Sequence, residues 1–510
     1  MKNTRAAGVL MHITSLPSPY GVGVFGRDTK NFIDFLADMR FLYWQVLPFV
    51  PTDEMNSPYC SPSSFAGNEL FIDPAGLRDR GLCTDADIAD CVYGGSPYTA
   101  AYSFAAEKRE NLLKKSYANA NEKIKKSAAA FAEKHPHIAE YAYFAALKAK
   151  NGGKPWYEWE KNEADFAHFM KSGRECIKDD FEFICFKQYI FFEQWSEIKK
   201  YADGKNVKII GDMPIYVALD SADVWACPEN FRLDLKTFKP QSVAGVPPDY
   251  FSEDGQLWGN PLYDWEHMEK DGCKWWLERL GAAFDMFDVV RIDHFRAFAS
   301  YWAVPADSDT AKNGEWQKGP GMKFFNRLFE KYPDAPVIAE DLGVFGEDVT
   351  ELLRETGFPG MKVIQFAFTP GADSLHLPHH CTPNSAVYCG THDNNTLFGW
   401  LFEAPEAERN YILRYVGFRG DNWGEGGYHA PACRSIIETV WRTSSRIAVI
   451  AFQDMCGFGN DARMNIPGVP ELNWRFRTTA ETIANVDKKY FREINGLFGR
   501  AAMPGEAVPR

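Results

Sequence analysis

The 510-residue sequence has no C-x-x-C pair, no apolar run approaching 18 residues, and no stretch where Lys and Arg interleave with aromatics. Each absence excludes something. Eleven cysteines form an odd, unpaired set in a chain too large to need disulfide staples, which points to a reducing compartment. Without a long apolar run, no helix is expected to span a membrane. The N-terminal "MKNTRAAGVLMHITSLPSPY" has no long apolar core, so no signal peptide is expected. With 69 acidic against 56 basic residues the net charge is −13, which disfavours a nucleic-acid partner. The most basic stretch, residues 114–126, is Ala/Lys/Asn-rich and reads as a solvated helix face. No internal repeat or low-complexity tail is present. What remains is a cytoplasmic enzyme, 45% hydrophobic and large enough for a sizeable core.

Eight short apolar runs end in polar or turn residues: 7–13, 43–50, 207–217, 287–293, 335–341, 360–368, 385–393 and 445–454. They are rich in Val and Ile, as strands buried on both faces must be. Most follow a stretch of helical period, such as "TKNFIDFLADMRF" (29–41) and "CKWWLERLGAAFDMF" (273–287). Eight strands alternating with helices predict an α/β fold, a (β/α)8 TIM barrel; a doubly wound sheet is the other candidate. Residues 1–52 and 200–510 would form the barrel. Residues 53–199 would be a large, mainly helical insertion after the second strand, with "NGGKPW" (151–156) as a break inside it. The connection 218–284 reads as an extended loop region over the C-terminal face. Its segment 244–261, "AGVPPDYFSEDGQLWGNP", reads as an irregular, lid-like loop.

Barrel active sites lie where the strands end at their C-terminal face. Those ends carry Asp212, Arg291, Asp293, Glu340, Asp341, His392 and Asp393, so carboxylates converge from four strands. Residues two apart on a strand share a face, which sets Arg291 beside Asp293 and keeps Asp293 ionised. An ionised Asp beside Arg suits a nucleophile. Glu340 ends an apolar strand, and burial there raises its pKa toward the range of a general acid. Two carboxylates in opposed protonation states suit glycosidic-bond chemistry. Taken singly, Asp293 could be only an N-cap for the next helix, and Arg291–Asp293 only a structural pair.

Three motifs carry less. "GVGVFG" (21–26) matches G-x-G-x-x-G, but "TSLPSPY" separates it from the preceding strand, so a dinucleotide turn is not expected. "HLPHHC" (376–381) has no second ligand cluster and reads as a surface loop. "DMCGFGND" (454–461) lacks the alternating ligands of a calcium loop.

The motifs "RIDHFR" (291–296), "AEDLG" (339–343), "THDNNT" (391–396) and "GDMPIYV" (211–217) resemble the signature regions of the 4-α-glucanotransferases called amylomaltase or disproportionating enzyme. These form glycoside hydrolase family 77, within the α-amylase clan. The resemblance extends to "GVLMHITSLPSPYGVGVFG" (8–26), "SPYCSPSSFAGNELFID" (57–73), "GVPPDYFSEDGQLWGNP" (245–261) and "ARMNIPGVP" (462–470). It implies three catalytic carboxylates. Asp293 would be the nucleophile, Glu340 the acid and base, and Asp393 the support for the sugar hydroxyls and the oxocarbenium-like transition state. Substrate contacts would come from Tyr59, stacking on the sugar, and from Trp258, covering the glucan chain. Ser57, Asp212, Arg291, His392 and Asn465 would contribute further contacts. His294 either lines the acceptor side or packs on the next loop, since strand alternation turns it from the cleft. Arg296 reads as structural. The resemblance implies maltooligosaccharides and other α-1,4-glucans as substrates, no cofactor and no metal. It also places the accessory starch-binding modules of some relatives outside this chain, since the first strand starts near residue 7.

The sequence departs from the family pattern at Cys60, where a polar residue is expected, and at Glu69, where Pro is common. A thiol beside Tyr59 predicts a site sensitive to thiol reagents. An α-glucan hydrolase of the same clan and a catalytically silent sugar-binding barrel are the competing readings. The silent barrel requires a lost carboxylate, and none is lost.

Overall fold

A computed structural model describes residues 5–502 except 249–252, 344–345, 370, 372 and 470. All eight apolar runs contain strands of one closed parallel barrel. These are β1 (Ala6–Leu10), β2 (Tyr43–Gln45), β3 (Lys208–Met213), β4 (Val289–Ile292), β5 (Val337–Ala339), β6 (Gly360–Val363), β7 (Ser385–Tyr388) and β8 (Ile447–Ala451). They pair in chain order and β8 closes onto β1, as in a (β/α)8 barrel. Every residue of β1, β4, β5, β7 and β8 is buried, because the interior is filled by side chains and helices cover the outside.

The helices that cover the barrel include Arg27–Asp38, Lys178–Gly204, Lys274–Met286, Met322–Lys331, Glu347–Thr356 and Pro431–Arg442. The alternation fails once. Among the described residues the β6–β7 connection has only the 3₁₀ turns Ile364–Phe366 and Pro378–His380. Residues 51–207 carry the helices Tyr102–Asn119, Glu122–Lys134 and Pro136–Lys150, all packed against Lys178–Gly204. That long helix also packs against Arg27–Asp38 and β3, so its 27 residues serve both the barrel and the inserted helices. Phe144, Phe191 and Trp195 accordingly share one continuous core with Trp44 and Ile210 of the barrel.

The 244–261 stretch differs from its expectation as an irregular loop. Ser242–Val246 and Gln256–Pro261 pair antiparallel, with Val243 opposite Pro261 and Gly245 opposite Leu257. Ser300–Pro305 and Glu315–Lys318 complete a four-stranded sheet. Its own small core of Val243, Val304 and Ala311 offsets the cost of ordering a Gly- and Pro-rich segment. The lid reading of 244–261 falls partly on residues 249–252, outside the described residues. In "GVGVFG", a Cβ on Gly23 would lie 1.7 Å from the Ile13 carbonyl oxygen. A close backbone approach therefore explains that glycine.

Candidate active site

Register builds the centre of the site. Asp212 on β3 lies opposite Arg291 on β4, and Ala339 on β5 lies opposite Ile292. The next residues, Asp293 and Glu340, therefore leave adjacent strands side by side, at a strand spacing of about 4.7–4.9 Å. Backbone bonds fix both exits: Asp293 N–H donates to the Met213 carbonyl and Glu340 N–H to the Ile292 carbonyl, each at 3.0 Å. The buried Arg291 guanidinium joins the strands. One nitrogen donates to both Asp212 oxygens at 2.8 Å, and the other lies 2.8 Å from Asp293 Oδ1. Arg291 thus sits beside Asp293, as side-chain alternation predicts. The Asp212 side chain is fully enclosed, whereas that of Asp293 is 29% exposed and can meet a substrate. Asp293 is not an N-cap: His294 occupies that position before the 3₁₀ turn Phe295–Phe298, and no side chain caps it.

The electrostatics separate the two carboxyls. Burial pushes Glu340 up to about 8, with the charge of Asp293 adding to the effect. Arg291 and the N–H groups of Leu342 (2.6 Å) and His294 (2.7 Å) pull the other way. Burial also raises Asp293, and the charge of Arg291 acts against that rise, as expected of the pair. The guanidinium bonds directly to Asp293, so the proton of the pair resides on Glu340 and Asp293 keeps the charge.

The end of β7 supplies a second group. Tyr59 donates its hydroxyl to Asp212 Oδ2 at 2.7 Å, and its ring stacks on His392 with centroids 4.9 Å apart. His392 Nε2 lies 3.3 Å from Asp393 Oδ2. Asn465 donates its side-chain amide to Asp393 Oδ1 at 2.6 Å and its backbone N–H to the His392 carbonyl at 3.1 Å. The Asp393 and His392 charges both act on Asp293, so the β7 group faces the same cleft.

The remaining expected residues divide. Trp258 stands on Gln256–Pro261, 37% exposed, with its ring 4.8 Å from that of His294 in a T-shaped contact. His294 adopts φ 50° and ψ 46°, a left-handed conformation that ends the strand alternation. Its ring packs against Trp258 of the strand Gln256–Pro261. Burial lowers His294 to about 3, so its ring is neutral. Ser57 accepts the Tyr59 N–H at 3.3 Å and shapes the turn that presents that ring. Arg296 lies over the Trp316 ring at 4.0 Å, a structural contact. Burial and Asp53 push the Cys60 thiol up to about 12, which argues against the expected sensitivity to thiol reagents. Glu69 accepts from the buried Lys187 at 2.9 Å, which accounts for a carboxylate at that position.

Two residues at the site escaped sequence reasoning. Trp474 places its ring 5.8 Å from both Tyr59 and His392. Arg463 donates to the Asp393 carbonyl at 2.6 Å and to the Asn465 carbonyl at 2.8 Å. The signal for Arg463 lay two positions before Asn465 in "ARMNIPGVP", whose Pro470 is outside the described residues. The "HLPHHC" run divides as well. His376 is buried and accepts the Val363 N–H, whereas His379 and His380 are held by Tyr415 and the Ser374 carbonyl, with Asp373 near His380.

Comparison with known proteins agrees with this geometry. The 4-alpha-glucanotransferase family profile matches residues 11–482. A 4-alpha-glucanotransferase of Streptococcus pneumoniae is 41% identical over 501 residues, 97% of each chain. One of Thermus thermophilus is 41% identical over 484 residues, covering 94% of this chain and 95% of its own. The amylomaltase of Streptococcus agalactiae, solved in complex with acarbose, superposes with a TM-score of 0.93 at 37% identity, covering 98% of this chain and 100% of its own. No helix among the described residues is long and apolar enough to cross a membrane. The chain belongs to the 4-alpha-glucanotransferase family, glycoside hydrolase family 77.

Proposed function

We propose that this transferase acts on maltooligosaccharides and other α-1,4-glucans by a retaining, double-displacement route, in a cytoplasmic setting. The observation that carries the reading is Arg291, bonded to Asp212 and Asp293 at 2.8 Å, while burial and the charge of Asp293 push Glu340 up to about 8. Asp293 attacks the anomeric carbon as Glu340 protonates the departing sugar oxygen, leaving a β-glycosyl ester on Asp293. Glu340, now ionised, removes a proton from the acceptor hydroxyl, which displaces Asp293 and restores the α-linkage. Asp393 orients the sugar hydroxyls, and Tyr59 stacks beside them. His392, Asn465, Ser57 and Asp212 hold this arrangement. Trp258 and His294 line the acceptor side, where they would exclude water so that a sugar hydroxyl outcompetes hydrolysis. No step requires a metal or cofactor. Eleven free cysteines agree with a reducing, cytoplasmic compartment.

Incubation with maltotriose tests the reading. Transfer gives glucose plus a ladder of longer chains. Only shorter sugars with rising reducing ends would mean a hydrolase, and unchanged maltotriose a silent binding protein.

A further inference from the structure

The loop after the short helix that follows β8 touches the proposed third carboxylate through its backbone as well as its side chain. Arg463 aims two arms of its guanidinium at carbonyl oxygens, Asp393 O at 2.6 Å and Asn465 O at 2.8 Å. A fork of this kind fixes distance and angle together. Asn465 completes the frame by bonding the Asp393 side chain and the His392 carbonyl. The frame is itself anchored. Asn473 accepts the Ile466 N–H at 2.9 Å and donates to the Val469 carbonyl at 2.6 Å, and Trp474 N–H donates to the Met464 carbonyl at 2.7 Å. Leu472 and Trp474, flanking Asn473, both adopt left-handed φ, 67° and 65°. Non-glycine residues persist there only when their surroundings over-determine them.

We propose that Arg463 is a positioning residue for the transfer reaction, setting the peptide of Asp393 so that its carboxylate meets the sugar hydroxyls at the transition state. The inference rests on the role given to Asp393 above. Arg463 touches no substrate in this account. It acts through the Asp393 carbonyl and through Asn465, so its loss leaves Asp393, His392 and Glu340 in place as residues while freeing the β7 turn to drift. A displacement of about 1 Å at a catalytic group costs on the order of 100-fold in rate.

The test compares Arg463→Met, Arg463→Lys and Asp393→Asn on two donors, maltotriose and a maltosyl fluoride, with thermal midpoints recorded for each. Fluoride leaves without protonation, so the second donor bypasses the acid step of Glu340 and rescues any defect confined to that step. The expected result for Arg463→Met is a kcat about 10- to 100-fold down on both donors, with KM changed by less than about threefold. Arg463→Lys, which keeps one donor arm, falls between it and the wild type. Wild-type kcat in folded Arg463→Met overturns the proposal, as does full recovery on the fluoride. If Arg463→Met does not fold, wild-type kcat in Arg463→Lys overturns it. An active Asp393→Asn overturns the role of Asp393, and the Arg463 inference with it. An inactive Asp393→Asn beside an unimpaired Arg463→Met removes only the inference.

Discussion

Replacing Arg291 by Met removes the cation that pairs with both Asp212 and Asp293. Asp293 loses one charge-assisted contact at 2.8 Å. Such contacts contribute about 1.5–3 kcal/mol, and one pKa unit corresponds to about 1.36 kcal/mol. The Asp293 pKa therefore rises by about 1–2 units in the variant. Its ionised fraction is what the reaction uses, so the acid limb of the kcat/KM profile moves to higher pH by that amount. The alkaline limb also moves up, but less, because the charge of Arg291 acts on Glu340 while its hydrogen bonds go to Asp212 and Asp293. The fold weakens too, since Asp212 is fully enclosed and loses its ion-pair partner. Removing one partner of a buried pair costs about 3–5 kcal/mol. Profiles are therefore recorded with maltotriose at a temperature where circular dichroism shows the variant folded. Arg291→Lys, which keeps a charge but not the fork, should shift the limb less. An acid limb in Arg291→Met that coincides with the wild type would refute the pairing of Arg291 with a working Asp293.

Three other outcomes are expected. Glu340→Gln should lower transfer from maltotriose by about 10²- to 10⁴-fold, the usual range for a lost general acid, while a glycosyl fluoride restores the first step as a fast burst of fluoride release ahead of slow turnover; absence of the burst would contradict the acid role. Iodoacetamide at neutral pH should leave Cys60 unmodified in a peptide map while the exposed Cys176 reacts, because the Cys60 thiol is pushed up to about 12; rapid Cys60 alkylation would contradict that. Asp454, buried behind the β7 turn and accepting the Leu397 N–H at 2.7 Å, is raised by burial from 3.8 to about 7. Its folded-state value exceeds its unfolded one, so the native state holds the proton more tightly and stability falls as pH rises between those values. The thermal midpoint of Asp454→Asn should therefore vary less between pH 5 and 7 than that of the wild type, as scanning calorimetry can measure.

Much of the fold was legible because barrel strands are buried on both faces. "VVRI" and "IAVIA" have little freedom to be anything but interior strands, and the polar residues that follow them mark the catalytic face. The antiparallel sheet was not legible. Gly245, Pro247, Pro248 and Gly255 mask the strand pattern, and its pairing with Ser300–Pro305 is set by contacts distant in sequence. The side chains of Asp293 and Glu340 were legible by type and position. The direction of His294 was not legible, because alternation ends at a left-handed residue that no sequence pattern announces. Arg463 was missed because it binds carbonyl oxygens, which every residue carries, and so leaves no partner to find in the sequence. The reactivity of Cys60 was not legible, because a thiol's neighbours, here Asp53 and a closed environment, decide it.

The central claim is a covalent sugar on Asp293. The direct measurement is mass spectrometry of Glu340→Gln after brief reaction with a glycosyl fluoride and acid quench, followed by peptide mapping. Fluoride needs no acid to leave, and without Glu340 the ester is discharged slowly, so the intermediate accumulates. The account predicts one added glycosyl unit on the peptide carrying Asp293, absent from Asp293→Asn. Fluoride release with no adduct on that peptide, or an adduct on another residue, would contradict it.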